Sequence, residues 1–133
     1  MRWLIDTDIL IEGERGNPAF EPFRKSGGEF ATADIIRAEF LLGVHSVADA
    51  VKRTRGEMFY RQRIAPIASL ANEPADFETA AQLAGEARRL GRGKPSLPDA
   101  LLAAIALRTG ATVATRNLAD FKALGCPCKN PLE

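Results

Sequence analysis

From Pro98 to Arg108 the chain reads Pro-Asp-Ala-Leu-Leu-Ala-Ala-Ile-Ala-Leu-Arg. Pro at the first position and Gly110 past the end mark a helix. Ala, Leu and Ile lie on nearly all its sides, so this helix has no solvent face and is deeply buried. Around it, short apolar runs alternate with helical patterns. Residues 2–6 form an apolar run ending in an acid, consistent with a buried strand. Residues 17–26 predict a short helix with Pro18 in its first turn, closed by Gly27-Gly28. Residues 30–32 predict a second strand. Residues 34–45 predict a helix with Ile35, Ile36, Leu42 and Gly43 on one face. Helical propensity resumes over 48–63. A third strand is expected over 64–68, interrupted by Pro66. Residues 74–90 form a helix started by Pro and stopped by Gly91. Strands over 111–115 and 125–129 complete the pattern. Strands alternating with helices imply an α/β fold: a parallel sheet of four or five strands with helices on both faces.

A length of 133 residues predicts one domain spanning 1–133. About two-thirds of its surface should be buried, enough for a core without disulfides or metals. A net charge of +1 with 46% hydrophobic residues excludes disorder. No charge-free run approaches the ~20 residues of a membrane helix. The opening run Trp3-Leu4-Ile5 stops at Asp6, too early for a signal peptide. Two Cys and one His are too few for a closed zinc site and predict free thiols in a cytoplasmic protein. The overall charge hides an asymmetry. Lys52, Arg53, Arg55, Arg61 and Arg63 meet only Glu57, and Arg88, Arg89, Arg92 and Lys94 form a second basic run. These are either two solvated helix faces or two basic rims suited to a polyanion.

In an open parallel sheet, sites form beyond the C-terminal ends of the strands. That singles out Asp6 and Asp8 after the first strand and Thr115-Arg116-Asn117 after the fourth. Asp6 could also be a turn or cap residue. Glu39 falls on or beside the face its helix should bury, where a carboxylate needs a partner; a buried salt bridge or an edge position would also serve. Asp99 opens the buried helix, where an acid also suits the positive helix end. Asp120 follows Asn117, where it could simply cap a helix. Together, Asp6, Glu39, Asp99 and Asp120 could converge at one sheet edge. Clustered carboxylates repel unless a cation binds, and all-oxygen ligands suit Mg²⁺ or Mn²⁺. Such a cluster, rimmed by Arg and Lys, suggests metal-assisted hydrolysis of a phosphodiester. His45, Cys126 and Cys128 read as structural. Trp3, Phe59 and Tyr60 read as packing residues more readily than as base-stacking ones.

Four motifs in order resemble the PIN-domain ribonucleases, above all the VapC-type toxins of toxin–antitoxin pairs. They are Leu4-Ile5-Asp6-Thr7-Asp8-Ile9-Leu10-Ile11, Ala38-Glu39-Phe40-Leu41-Leu42-Gly43-Val44, the Pro98–Ala106 stretch, and Gly110 to Asn117 with Asp120-Phe121. The resemblance covers nearly the whole chain. It implies a three-layer α/β/α sandwich, a homodimer, Mg²⁺ or Mn²⁺ dependence, RNA cleavage and inhibition by a cognate antitoxin. Asp6, Glu39 and Asp99 match the family's three steadiest acids. For the fourth, some relatives have an acid where Asn117 stands and others where Asp120 stands. Asp8 replaces a common Asn. Thr7 and Thr115 match hydroxyl residues that support the acids.

The mechanism this implies has Asp6 and Asp99 as metal ligands, with Glu39 and Asp120 completing the shell directly or through water. Arg116 and the runs at Arg88, Arg89, Arg92 and Lys94 would hold RNA phosphates. Two rivals differ in class. Asp6-Thr7-Asp8 also resembles the motif of haloacid-dehalogenase-like phosphatases, with Asp6 as nucleophile. A non-catalytic metal-binding interaction module is the other.

Overall fold

A computed structural model describes residues 1–133. Five parallel strands form one sheet in the order β3-β2-β1-β4-β5. They are β1 (Arg2–Ile5), β2 (Glu29–Thr32), β3 (Ala68–Ser69), β4 (Thr112–Ala114) and β5 (Cys128–Lys129). Helices α1 (Thr7–Glu14), α2 (Phe20–Arg24), α3 (Asp34–His45), α4 (Ala50–Phe59), α5 (Pro74–Arg89), α6 (Leu97–Thr109) and α7 (Leu118–Ala123) cover both sides. The α/β sandwich expected from the sequence is the fold.

The strand order places the site. From β1 the chain builds outward through β2 and β3, then returns to add β4 and β5 on the other side. The order therefore switches between β1 and β4, and the crevice beyond their C-terminal ends is where such sheets bind ligands. Register is fixed by Leu4 against Val113 and Ile5 against Ala114. The Asp6 N–H then donates to Ala114 O at 2.9 Å, tying the first residue past β1 to β4.

The core is apolar and centred on the strands and α6. Leu4, Ile9, Leu10, Ile36, Leu102, Ile105, Val113 and Phe121 are sealed from solvent. Residues Ala100 to Ala106 of α6 are all buried, as its composition requires. Ser96 caps α6 by accepting the Asp99 N–H, and Gly110 closes it at φ +73°.

Three local predictions need correction, and two helices, α1 and α7, fall where none was expected. Residues 7–14 are helical, capped by Asp6, although their run Ile9-Leu10-Ile11 carries no helical period. The helix expected over 17–26 is confined to Phe20–Arg24, because the Asn17 side chain accepts the Ala19 N–H and turns the chain there. The third strand lies at Ala68–Ser69 and not over 64–68. Ile64 is fully buried, but it ends a π-helical turn (Tyr60–Ile64) that continues α4. The last strand shortens to Cys128–Lys129, since Pro127 has no N–H to pair. Residues 118–123 add α7, which buries Phe121.

Trp3, Phe59 and Tyr60 are packing residues. Trp3 meets Phe23 edge-on at 5.3 Å, while Phe59 and Tyr60 pack against Phe40. Burial pushes the Cys126 thiol up to about 12, so it stays protonated, and both cysteines are free. No helix is long and apolar enough to cross a membrane.

One ion pair staples α5 to α6. Arg108 donates from Nε and Nη2 to the two oxygens of buried Asp76, each at 2.9 Å, and also to Ala71 O. This guanidinium holds the Asp76 carboxyl below its ordinary range. Asp76→Asn should therefore lower the thermal midpoint by several degrees, since it removes the buried carboxylate that matches the fork and leaves the guanidinium only the longer Glu73 pair at 3.4 Å and Ala71 O. Differential scanning calorimetry of the variant checks this; an unchanged midpoint contradicts the staple.

Candidate active site

Asp6 sits where β1 ends and α1 begins, 8% exposed. One oxygen accepts the Thr7 N–H at 2.8 Å, and the other accepts the Thr115 hydroxyl at 2.8 Å. The carboxylate is thus held rigidly between β1 and β4. Burial raises its pKa, and the neighbouring charge of Asp8 adds to this, then that of Asp99; together they carry it from 3.8 to about 7.

Asp8 lies in the first turn of α1. Its Oδ2 accepts the Arg116 N–H at 2.9 Å and lies 3.4 Å from the Thr115 hydroxyl. Burial raises its pKa as well. Asp8 Oδ1 and Thr7 Oγ1 are buried with no hydrogen-bond partner.

Asp99 enters from the first turn of α6, whose start is fixed by Ser96. Its pKa is raised by burial, then by the charges of Asp120 and Asp8. Asp120 comes from α7, where Asn117 Nδ2 donates to its Oδ2 at 2.8 Å. The Asn117 N–H donates in turn to Thr115 Oγ1 at 3.0 Å. Thr115 therefore links Asp6, Asp8 and Asn117. Asn117 positions Asp120, and it is Asp120 whose charge reaches Asp99.

Glu39 is not on a buried face. The buried stripe of α3 is Ile36, Phe40 and Val44, while Leu42 is 68% exposed. Glu39 is exposed at the rim of the cluster. It still senses the others: partial burial, then the charge of Asp99, raises its pKa.

Asp99 thus lies within electrostatic reach of Asp6, Glu39 and Asp120, with Asp8 as a fifth carboxylate. No basic side chain contributes to the shifts of Asp6, Glu39 or Asp99. The acids do not close into a ready-made cage of three metal ligands. Mg²⁺ does not need one: it commonly takes one or two carboxylates, retains several waters and uses substrate phosphate as a further ligand. Repelling acids, an orphaned Asp8 Oδ1 and an all-oxygen donor set fit such a cation.

The basic residues divide. The Arg116 guanidinium is paired with Glu12, and its side chain remains 55% exposed. Arg88 and Arg89 end α5, while Arg92 and Lys94 lie in the loop to α6; all four are exposed, and none forms an ion pair. That loop leads into Ser96 and Asp99. Two residues of the site escape the sequence reading. Ser96 was detectable from Ser-Leu-Pro-Asp, a capping pattern. Glu12, which receives Arg116 from 104 positions away, leaves no local signal.

No curated protein matches the chain at significant similarity. Among solved structures, FitAcB from Neisseria gonorrhoeae is similar at 26% identity and TM-score 0.82, covering 98% of each chain. VapBC2 from Rickettsia felis, bound to a DNA fragment from its promoter, is similar at 16% identity and TM-score 0.83, covering 97% of this chain and 98% of that one. VapBC-5 from Mycobacterium tuberculosis is similar at 21% identity and TM-score 0.74, covering 96% and 95%. The PIN domain family model matches residues 3–125, and the chain belongs to the PIN-domain family.

Proposed function

We propose that this chain is a Mg²⁺- or Mn²⁺-dependent endoribonuclease and the toxin of a toxin–antitoxin pair. The single observation that carries the reading is the set of unneutralised carboxylates at the β1/β4 switch point. Membership of the PIN family implies a nuclease, and this replaces the phosphatase alternative. The similar structures include toxin–antitoxin complexes, which supports a cognate antitoxin as partner. Residues 1–133 would act as one domain, as a homodimer, in the cytoplasm.

Asp6 and Asp99 would hold the metal, with Glu39 and Asp120 reaching its shell directly or through water. When bound, the ion would lower the pKa of water and offset charge developing on the phosphate. Thr7 and Thr115 keep Asp6 in one orientation, so little reorganisation is needed when the substrate arrives. Asp8 fixes the Arg116 backbone, and Asn117 fixes Asp120. Glu39 or Asp120 would accept the proton of the attacking water. Arg116 would meet a substrate phosphate beside the crevice.

The test is cleavage of RNA by the purified protein with Mg²⁺ or Mn²⁺ and in excess chelator. Cleavage only with metal supports the reading. Undiminished cleavage in chelator, or none under any condition, overturns it; metal binding without cleavage would instead identify an interaction module.

Arg88, Arg89, Arg92 and Lys94 would bind phosphates without reading bases. Replacing all four by Gln should weaken binding to unrelated RNAs alike. The log Kd against log salt slope should fall by about 0.7 per lost contact on a single strand. An unchanged slope would assign these charges to solvent.

A further inference from the structure

Glu12 stands where its own helix gives it no support. It lies in the last turn of α1, the end that disfavours an acid, and no basic residue shares that turn. Its side chain is only 18% exposed. A carboxylate so placed needs partners from elsewhere, and it has two. One oxygen accepts from Arg116 Nη1, and the other accepts from Asn17 Nδ2 at 3.3 Å. Asn17 is itself fixed, since its Oδ1 accepts the Ala19 N–H at 2.9 Å. Four residues earlier on the same face of α1, Asp8 Oδ2 accepts the Arg116 backbone N–H at 2.9 Å. Arg116 is thus held at both ends by one helix, its backbone by Asp8 and its guanidinium by Glu12. Within the protein the guanidinium donates only from Nη1, and the side chain remains 55% exposed, so Nε and Nη2 are free. The residue before it, Thr115, donates its hydroxyl to Asp6.

We propose that Glu12 is a positioning residue for RNA cleavage: it holds the Arg116 guanidinium beside the carboxylates, so that the free donors meet charge developing on the scissile phosphate. The inference rests on the ribonuclease reading and extends it to a residue that touches neither metal nor RNA. A guanidinium is a rigid fork of five donors, so one can be anchored while others face a phosphate. An anchored fork needs no reorganisation as that charge forms, whereas a loose one must be ordered at every turnover. Two other roles for Glu12 predict different outcomes. A pair that only ties α1 to the connection between β4 and α7 would act on stability and not through Arg116. An acid that only repels RNA would slow the reaction, so its removal would speed cleavage.

Glu12→Ala removes the anchor and suits the helix, because Ala is the best helix former and the helix end loses an unfavourable charge. At saturating RNA with Mg²⁺, single-turnover cleavage should slow about tenfold. Binding is read separately in chelator, by anisotropy of a fluorescein-labelled pool of random single-stranded RNA octamers. There Glu12→Ala should bind no more weakly than the parent, with an undiminished salt slope, because Arg116 keeps its charge. Arg116→Gln should instead lower the slope by about 0.7. In the Arg116→Gln background, Glu12→Ala should slow cleavage no further. Glu12→Gln keeps the shape and one acceptor oxygen, and should lose only about threefold; it carries the same cycle if Glu12→Ala does not fold. Parental or faster cleavage by Glu12→Ala, or by Glu12→Gln where only that variant folds, overturns the proposal. An equal loss in the Arg116→Gln background assigns Glu12 to the fold alone and overturns it too. A parent protein that cleaves no RNA defeats the ribonuclease reading itself, so the two failures are distinguishable.

Discussion

Asp6→Asn should slow RNA hydrolysis at least about a thousandfold while the fold persists. A metal at a phosphoryl centre supplies several kcal/mol of transition-state stabilisation, and about 4 kcal/mol is a thousandfold in rate. Asn matches Asp in size. Its oxygen can still accept the Thr7 N–H, and its amide can donate to the Thr115 hydroxyl, so the hydrogen bonds at the β1/β4 junction can re-form. What is lost is the charge. Single-turnover cleavage, with circular dichroism as the folding control, measures the effect. A loss below tenfold in a folded variant would remove Asp6 from the chemistry.

In chelator, stability should fall as pH rises from about 4 to about 7. The folded Asp6 pKa is raised from 3.8 to about 7. Below pH 4 the group is protonated in both states, and its contribution to stability is intact. Between these values the unfolded chain releases a proton that the folded protein retains, so unfolding becomes easier as pH rises. For Asp6 alone the loss over this window is about 4 kcal/mol. Asp8 is electrostatically coupled to Asp6, so the two titrate as a pair. Asp8, Asp99 and Glu39 are shifted in the same direction and add to the trend. The lowered pKa of Asp76 acts oppositely, but below about pH 4, outside this window. Asp6→Asn should flatten the slope. Mg²⁺ should stabilise the parent most at the upper end, where the ligands are ionised. Urea melts across the window decide it; stability that climbs with pH in chelator would contradict the coupled cluster.

The punctuated parts of the fold were legible in the sequence. Pro74, Pro98 and Gly110 mark the ends of α5 and α6, and the composition of α6 requires its burial. Strand-end acids were legible for the same reason: Asp6 stops an apolar run. Periodicity failed where two patterns fit one segment. Ile9-Leu10-Ile11 suits a strand as well as the buried side of α1. In α3 the alternative stripe through Ile35 and Leu42 competed with the true one through Ile36, Phe40 and Val44, which moved Glu39 to the rim. Ile64 is buried as a strand residue would be, yet it belongs to a helix end. Contacts such as Arg116 with Glu12 and Arg108 with Asp76 join distant positions and leave no periodic trace.

The most direct test is anomalous diffraction from crystals of this protein grown with Mn²⁺. The account predicts one strong peak within bonding distance of both Asp6 and Asp99, and its loss in Asp99→Asn. A crevice without manganese at saturating metal, or a peak held elsewhere, would contradict the metal-dependent site.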